Sequence, residues 1–292
     1  MNPAPSVIIF TTLSGMGFGL LFWLGLGLPA PTGWVAFGFF FVAYALAVGG
    51  LMASALHLGR PERALKAFTQ WRSSWLSREA IAAVVTLTLG GIFALTAIFG
   101  TPLAPLGWLV SLGCAGTIWT TSMIYTQLRS VPRWHHWTTP AVFLTLAGGG
   151  GALLANQGLA ALVLLAAAAV LQGIAWFTGD RRFARSGTTL GTATGLGERG
   201  EVRAFLPPHS GSNYLLKEFV YVVGRRHVMY LRIIGMSLAF VLPLAILAFG
   251  LTHVTAVVAI LAHLLGVLCL RWLFFAQAEH VVGLYYGARR TA

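Results

Sequence analysis

Hydrophobic residues in this chain run in eight long stretches, with the charged residues gathered between them. The stretches are Ile8–Leu28, Trp34–Leu58, Ala80–Phe99, Leu106–Leu128, Thr139–Leu154, Leu159–Thr178, Ile233–Gly250 and Val254–Phe275. Each is about the length a helix needs to cross a ~30 Å hydrocarbon core, the fifth only just. The pattern predicts an all-α integral membrane protein, a bundle of eight transmembrane helices that forms one membrane domain over residues 1–292.

The charges give this bundle an orientation. By this division all 19 Lys and Arg residues fall in loops on one side. They lie between Arg60 and Arg78, at Arg129 and Arg133, between Arg181 and Arg232, and between Arg271 and Arg290. The alternate connections, Pro29–Gly33, Gly100–Pro105, Gly151–Gly158 and Leu251–Thr252, carry none. Basic residues are retained on the cytoplasmic side, so both termini are expected in the cytoplasm. Met1–Pro5 lacks the basic start of a signal peptide, and the first stretch is read as a retained helix.

Composition agrees with the pattern. Hydrophobic residues make up 57% and charged residues 9%, against about 25% charged in an average soluble domain. The net charge of +12 brackets membrane spans and does not stripe a polar surface. It therefore points to anionic lipid headgroups and away from nucleic acid. Cys114 and Cys269 both lie in apolar stretches, with no CxxC and no HExxH, so the chain has no ligand set for an iron–sulfur cluster or tetrahedral zinc. The two cysteines read as small buried hydrophobes.

The polar residues within the stretches narrow the class further. Pumps and ion-coupled transporters place ionisable groups in mid-span, whereas all seven acids here fall outside the span centres. A small-solute transporter is accordingly the alternative from a different class. Gly15-x-Gly17-x-Gly19 resembles the start of a nucleotide fingerprint, but no strand precedes it, and it reads as a close helix contact. The run Gly148–Gly151 is expected to end the fifth helix in the outer turn. Trp34, Trp108, Trp134 and Trp137 near span ends are expected in the interfacial aromatic belts.

The histidines separate into two kinds. His263, in mid-span, has no second histidine at its depth, so a bis-histidine haem is not expected, and His263 is read as a hydrogen-bonded packing residue. His57 stands where the second helix becomes loop, followed by Gly59, Arg60 and Pro61. It suits either of two roles. One is a helix cap whose charge offsets the macrodipole. The other is a proton-handling group at the membrane edge, since imidazole titrates near pH 7.

The segment His57-Leu-Gly-Arg-Pro-Glu-Arg-Ala, running on to Gln70-Trp-Arg-Ser-Ser-Trp-Leu-Ser-Arg-Glu79, resembles the signature of the membrane anchor subunits of the dimethyl-sulfoxide-reductase family. Met123-Ile-Tyr-Thr-Gln-Leu-Arg-Ser-Val-Pro-Arg-Trp134 and Trp137-Thr-Thr-Pro140 are similar to the same family's fourth-helix end and following loop. Thr194–Arg203, Pro207–Gly211, Asn213–Glu218, Arg271–Ala276, His280 and Tyr285-Tyr-Gly287 instead resemble the membrane subunit of cytoplasmic quinone-linked sulfite dehydrogenases. The resemblance implies a heterotrimer, or a dimer of one. In it a molybdopterin catalytic subunit, a ferredoxin-like iron–sulfur subunit and this lipid-embedded anchor pass electrons to or from the quinone pool. It implies a ubiquinone or menaquinone held at His57, Arg60, Arg72, Arg78, Glu79 and Tyr125, and no haem or iron–sulfur cluster in this chain.

The signature loop carries five basic residues and is expected to face the cytoplasm. That favours the sulfite branch over a dimethyl sulfoxide or other oxyanion reductase, whose soluble subunits are typically exported. Gly179–Leu231, too long for a plain connection, is expected to be a cytoplasmic docking region. Within it Glu201–Leu206 alternates like a short strand, and Tyr214–Tyr230 reads as an amphipathic lead into the seventh helix.

Overall fold

The computed structural model describes residues 1–55, 61–206, 214–219, 227–250 and 252–286. Each of the eight apolar stretches folds as a helical rod. The first six rods are α1 (Pro5–Gly25), α2 (Gly33–Ala55), α3 (Trp75–Ile98), α4 (Ala104–Thr126), α5 (Thr138–Leu154) and α6 (Gly158–Arg185), with a 3-10 turn at Pro61–Phe68 before α3. The long connection holds α7 (Leu190–Thr194) and α8 (Tyr214–Phe219). The seventh rod is α9 (Val228–Met236), a π-helical segment (Ser237–Val241) and α10 (Leu242–Phe249); the eighth is α11 (His253–Ala276). No strand occurs among the described residues, and Glu201–Leu206, expected as one, is irregular.

Six rods among the described residues, α1, α2, α3, α6, α9–α10 and α11, are long and apolar enough to cross a membrane. α5 is shorter, at 17 residues. α4 has 23 residues but is diluted by Gly, Ser and Thr. Local chemistry sets the starts. Pro5 opens α1, where a missing N–H loses nothing. The Ser74 side chain accepts from the Ser77 amide at the start of α3. Thr252 and Thr255 form a reciprocal capping box on α11.

The bundle is organised around α1, which packs against α2, α4, α5 and α11. The glycines expected to allow close approach do so. A Cβ on Gly17 would stand 2.3 Å from the Ala47 amide nitrogen of α2, and one on Gly19 would stand 2.0 Å from the Ala147 carbonyl of α5. The run Gly148–Gly151, expected as an outer turn, is helical instead. Its reason is packing: a Cβ on Gly151 would lie 2.1 Å from the Gly19 carbonyl carbon. α5 thus joins two apolar cores. One includes Phe18, Leu21, Phe40, Val110 and Trp134, and the other Leu146, Leu165, Phe240 and Leu270.

The seventh rod explains His263. Pro243 has no N–H to give to the carbonyl four residues earlier, and its ring displaces that carbonyl. The carbonyl belongs to Ala239, in the π-helical segment. His263 is fully buried, and its Nδ1 lies 2.8 Å from the Ala239 oxygen, which accepts its hydrogen. Gly266 lets α11 close on the same residue, since a Cβ there would stand 2.2 Å from the Ala239 nitrogen. His263 is a hydrogen-bonded packing residue, as its sequence setting implied.

One end of the bundle collects the polar groups. The N-terminal ammonium donates to the Ala278 carbonyl at 2.6 Å, Asn2 N to the Glu218 carbonyl at 2.8 Å, and Val281 N to the Ser130 carbonyl at 2.9 Å. Asp180 of α6 clasps this end, accepting from Arg133 at 2.6 Å and from Arg232 of α9 at 2.7 and 3.0 Å. The expectation that every cation stands in a loop is corrected here. Arg78, Arg181, Arg182, Arg185, Arg232 and Arg271 are helical, because α3, α6, α9 and α11 extend beyond, or run through, the positions assigned to loops. Trp134 is corrected too. Whereas Trp34, Trp108 and Trp137 are exposed as belt residues should be, Trp134 is 2% exposed and donates to the Phe274 carbonyl at 3.0 Å.

Candidate functional site

His57 and Arg60, two of the six residues singled out for the site, lie outside the described residues. The other four divide into an exposed pair and a buried pair. Arg72 belongs to the turn that leads into α3, and Arg78 to the first turn of α3 itself. Arg78 folds back on that turn, its Nε donating to the Trp71 carbonyl at 2.8 Å and its Nη2 to the Arg72 carbonyl at 2.7 Å. Its guanidinium lies 4.4 Å from the centre of the Trp75 ring, and that of Arg72 lies 5.2 Å from Trp71. Such contacts brace the loop. They do not carry either arginine into the bundle.

Glu79 and Tyr125 point the other way. Glu79 sits one turn inside α3 and is 5% exposed. Its Oε1 lies 3.2 Å from Thr121 Oγ1 on α4, which also lies 2.9 Å from the Thr117 carbonyl. A hydroxyl has a single hydrogen to give. Thr121 can donate it to an ionised Glu79, or give it to Thr117 and receive one from a protonated Glu79. The pair accommodates both protonation states without moving a helix, and that is a usable property for a proton-handling group.

Tyr125, on the last turn of α4, is held in an aromatic box. Its ring centre lies 5.3 Å from Trp134 and Phe274, 5.6 Å from Phe275 and 5.8 Å from Phe143. It stands within electrostatic range of both Glu79 and Arg271. The structure therefore brings Glu79 and Tyr125 into one interior region and leaves Arg72 and Arg78 at its edge.

Thr121 and Arg271 join this region and were not among the sequence candidates. Arg271 is 4% exposed, five residues before the end of α11, with its guanidinium 3.5 Å from the Phe143 ring centre. With Thr11, Ser14, Phe18, Ile118 and Thr121 it borders a small cavity of mixed polar and apolar lining. The available signal was an ionisable residue within an apolar run, which is costly unless it has a task. Among the described residues, no group of three or more His, Cys, Asp or Glu side chains is assembled to hold a metal.

Outside the helices, His136 is pushed below the usual imidazole range, first by burial and then by Arg182 and His135. A neutral ring leaves its Nδ1 free to accept from Arg182 at 2.9 Å.

A family model described as the DMSO reductase anchor subunit (DmsC) matches residues 1–287. One subunit of the sulfite dehydrogenase of Allochromatium vinosum is 31% identical over 325 aligned residues, covering 98% of this chain and 99% of that protein. The YnfH chain of an anaerobic dimethyl sulfoxide reductase of Escherichia coli is 34% identical over 171 residues, covering 55% of this chain and 57% of that protein. A second anaerobic dimethyl sulfoxide reductase chain from the same organism is 34% identical over 106 residues, 35% of this chain and 37% of that protein. No solved structure gives a significant match.

Proposed function

The chain belongs to the DMSO reductase anchor subunit family, and from that premise we propose that it holds the quinone of a molybdenum-dependent sulfite-oxidising complex. It is a multi-pass membrane anchor subunit of an oxidoreductase complex. Its partners in this reading are a ferredoxin-like iron–sulfur subunit and a molybdopterin subunit. Electrons released from sulfite leave the iron–sulfur partner and enter the quinone pool here. The sulfite preference is supported by the near full-length relative named as a sulfite dehydrogenase subunit.

The observation that carries the quinone role is the buried carboxyl of Glu79, hydrogen-bonded to Thr121 within an apolar bundle. A bound quinone supplies a couple of two electrons and two protons. The chain's task is to move the protons and exclude competing water. In this reading the His57 ring and the Glu79 carboxyl exchange protons with the cytoplasm, the Tyr125 hydroxyl lines the head-group region, and Arg60, Arg72 and Arg78 form its basic edge. Ubiquinone and menaquinone share the carbonyl chemistry involved. Iron–sulfur chemistry is left to the ferredoxin-like partner, and no haem is assigned to this chain.

The same proposal sets eight crossings of a bacterial inner membrane with both termini in the cytoplasm. It is supported by the eight rods, by the Lys- and Arg-free alternate connections and by the meeting of the N-terminus with the end of α11. A second reading, an anchor facing outward for an exported dimethyl sulfoxide reductase, is favoured by the shorter matches to such chains. Reporter fusions separate the two. Those placed after Gln157 or Thr252 are expected to report the periplasm, and those after Arg199 or at the C-terminus the cytoplasm. A periplasmic signal after Arg199 would reverse the orientation and favour the exported branch.

A further inference from the structure

A cleft between α5, α6 and α11, beside the quinone region but separate from Glu79, is lined by Arg133, Arg182 and Arg271. We propose that it binds the phosphate group of an acidic phospholipid. Charge accounting within the cleft is the first argument. Arg133 is paired with Asp180, whose two oxygens are already shared with Arg232. Arg182 meets only neutral acceptors: the Arg133 carbonyl and His136 Nδ1, each at 2.9 Å, Thr138 Oγ1 at 3.2 Å, and Thr178 Oγ1. Arg271 makes no hydrogen bond or ion pair among the described residues, and its Nε is buried without a partner.

An uncompensated guanidinium buried in an apolar bundle is strongly unfavourable. The Phe143 ring face offsets part of that, and hydrogen bonds donated to an anion would supply the rest. A guanidinium presents parallel N–H groups matched to phosphate oxygens. A neutral quinone would leave two unpaired cations in place.

The shape of the cleft names the source of the phosphate. Beneath the arginines its wall turns apolar, with Val142, Leu146 and Leu270. A headgroup phosphate above and the first part of an acyl chain below would match both halves. Basic clefts between helices near the membrane edge take anionic lipids in this manner. Arg271, read from sequence as a loop cation, becomes the deepest contact of this site.

The test uses the full chain, purified in neutral detergent and stripped of lipid. Its thermal unfolding midpoint is followed during titration with phosphatidylglycerol, phosphatidylcholine or inorganic phosphate at one ionic strength. Phosphatidylglycerol is expected to raise the midpoint, and the other two to leave it unchanged. Arg182→Gln and Arg271→Gln are each expected to weaken the phosphatidylglycerol effect about tenfold or more, the worth of a lost charge-assisted hydrogen bond. Quenching by acyl-brominated phosphatidylglycerol gives a readout independent of the arginine variants, through Trp176, which lines the cleft. The quenched fraction of the fluorescence is expected to fall in Trp176→Phe.

Equal responses to the two lipids, or a phosphatidylglycerol effect untouched by either Gln variant, would overturn the site. An equal response to inorganic phosphate would make it a free-anion site and overturn the lipid assignment. An arginine-dependent response to a soluble quinone analogue, without one to phosphatidylglycerol, would reassign the cleft and leave the Glu79 reading standing.

Discussion

His57→Ala is expected to lower electron exchange with quinone by a factor of about 10²–10⁴, the usual worth of one proton-handling group. Activity of the soluble subunits with an artificial dye is expected to stay at the wild-type level, because a dye takes its electrons before they reach the membrane. The amount of assembled complex is also expected to be unchanged, since the residue lies at the end of its apolar stretch. Glu79→Gln should give the same split to a smaller degree. Gln keeps a hydrogen bond to Thr121 but cannot carry a proton in exchange. Arg72→Ala, Arg78→Ala and Tyr125→Phe are expected to give graded losses below these. Arg78 acts on the loop through the Trp71 and Arg72 carbonyls, and Tyr125→Phe keeps the aromatic box. Quinone-linked and dye-linked rates measured on the same preparations check the series. Wild-type quinone rates in both His57→Ala and Glu79→Gln would move the site elsewhere and return His57 to a helix cap.

Gly19→Leu is expected to prevent accumulation of folded protein, and Gly151→Leu to do the same. At both positions the backbones of α1 and α5 touch, with 2.0–2.1 Å between an added Cβ and the facing main chain. No rotamer relieves a clash with backbone. Overpacking a core costs about 1–3 kcal/mol where side chains can yield, and more is expected where helices must separate. Whole domains have only about 5–15 kcal/mol in reserve. Parting α1 from α5 would also divide the two cores that α5 joins. Gly38→Leu is the control, because a Cβ there meets nothing within 4 Å. Monodisperse yield and unfolding midpoint after detergent extraction are the measurements. A Gly19→Leu chain with wild-type yield and midpoint would refute the close contact.

The eight rods were legible because a membrane-crossing helix needs a continuous apolar run, and such a run survives any uncertainty about its neighbours. The glycines at 17 and 19, and the role of His263, were legible for a related reason: inside an apolar bundle, small and polar residues have few roles. Other features depended on three-dimensional context. Gly148–Gly151 has the composition of a turn, and only the facing Gly19 makes it a helix contact. Trp134 has the sequence setting of a belt residue, yet the ends of α4 and α11 converge on it and bury it. Arg271 was grouped with loop cations because it lies close to the end of its run, though α11 continues past it to Ala276. Of the candidate site, Glu79 and Tyr125 converge on one region. The six residues looked alike on paper, but Arg72 and Arg78 are turned outward by the Trp71–Trp75 turn. Residue type alone carries no information on which way a side chain leaves a helix.

Quinone reduction by sulfite, measured with the purified complex of the proposed three subunits and with its soluble subunits lacking this chain, tests the central claim most directly. Both preparations are expected to reduce an artificial dye at similar rates, while only the complex containing this chain reduces quinone. Soluble subunits that reduce quinone at the full rate without it would contradict the assignment of the quinone site to this chain.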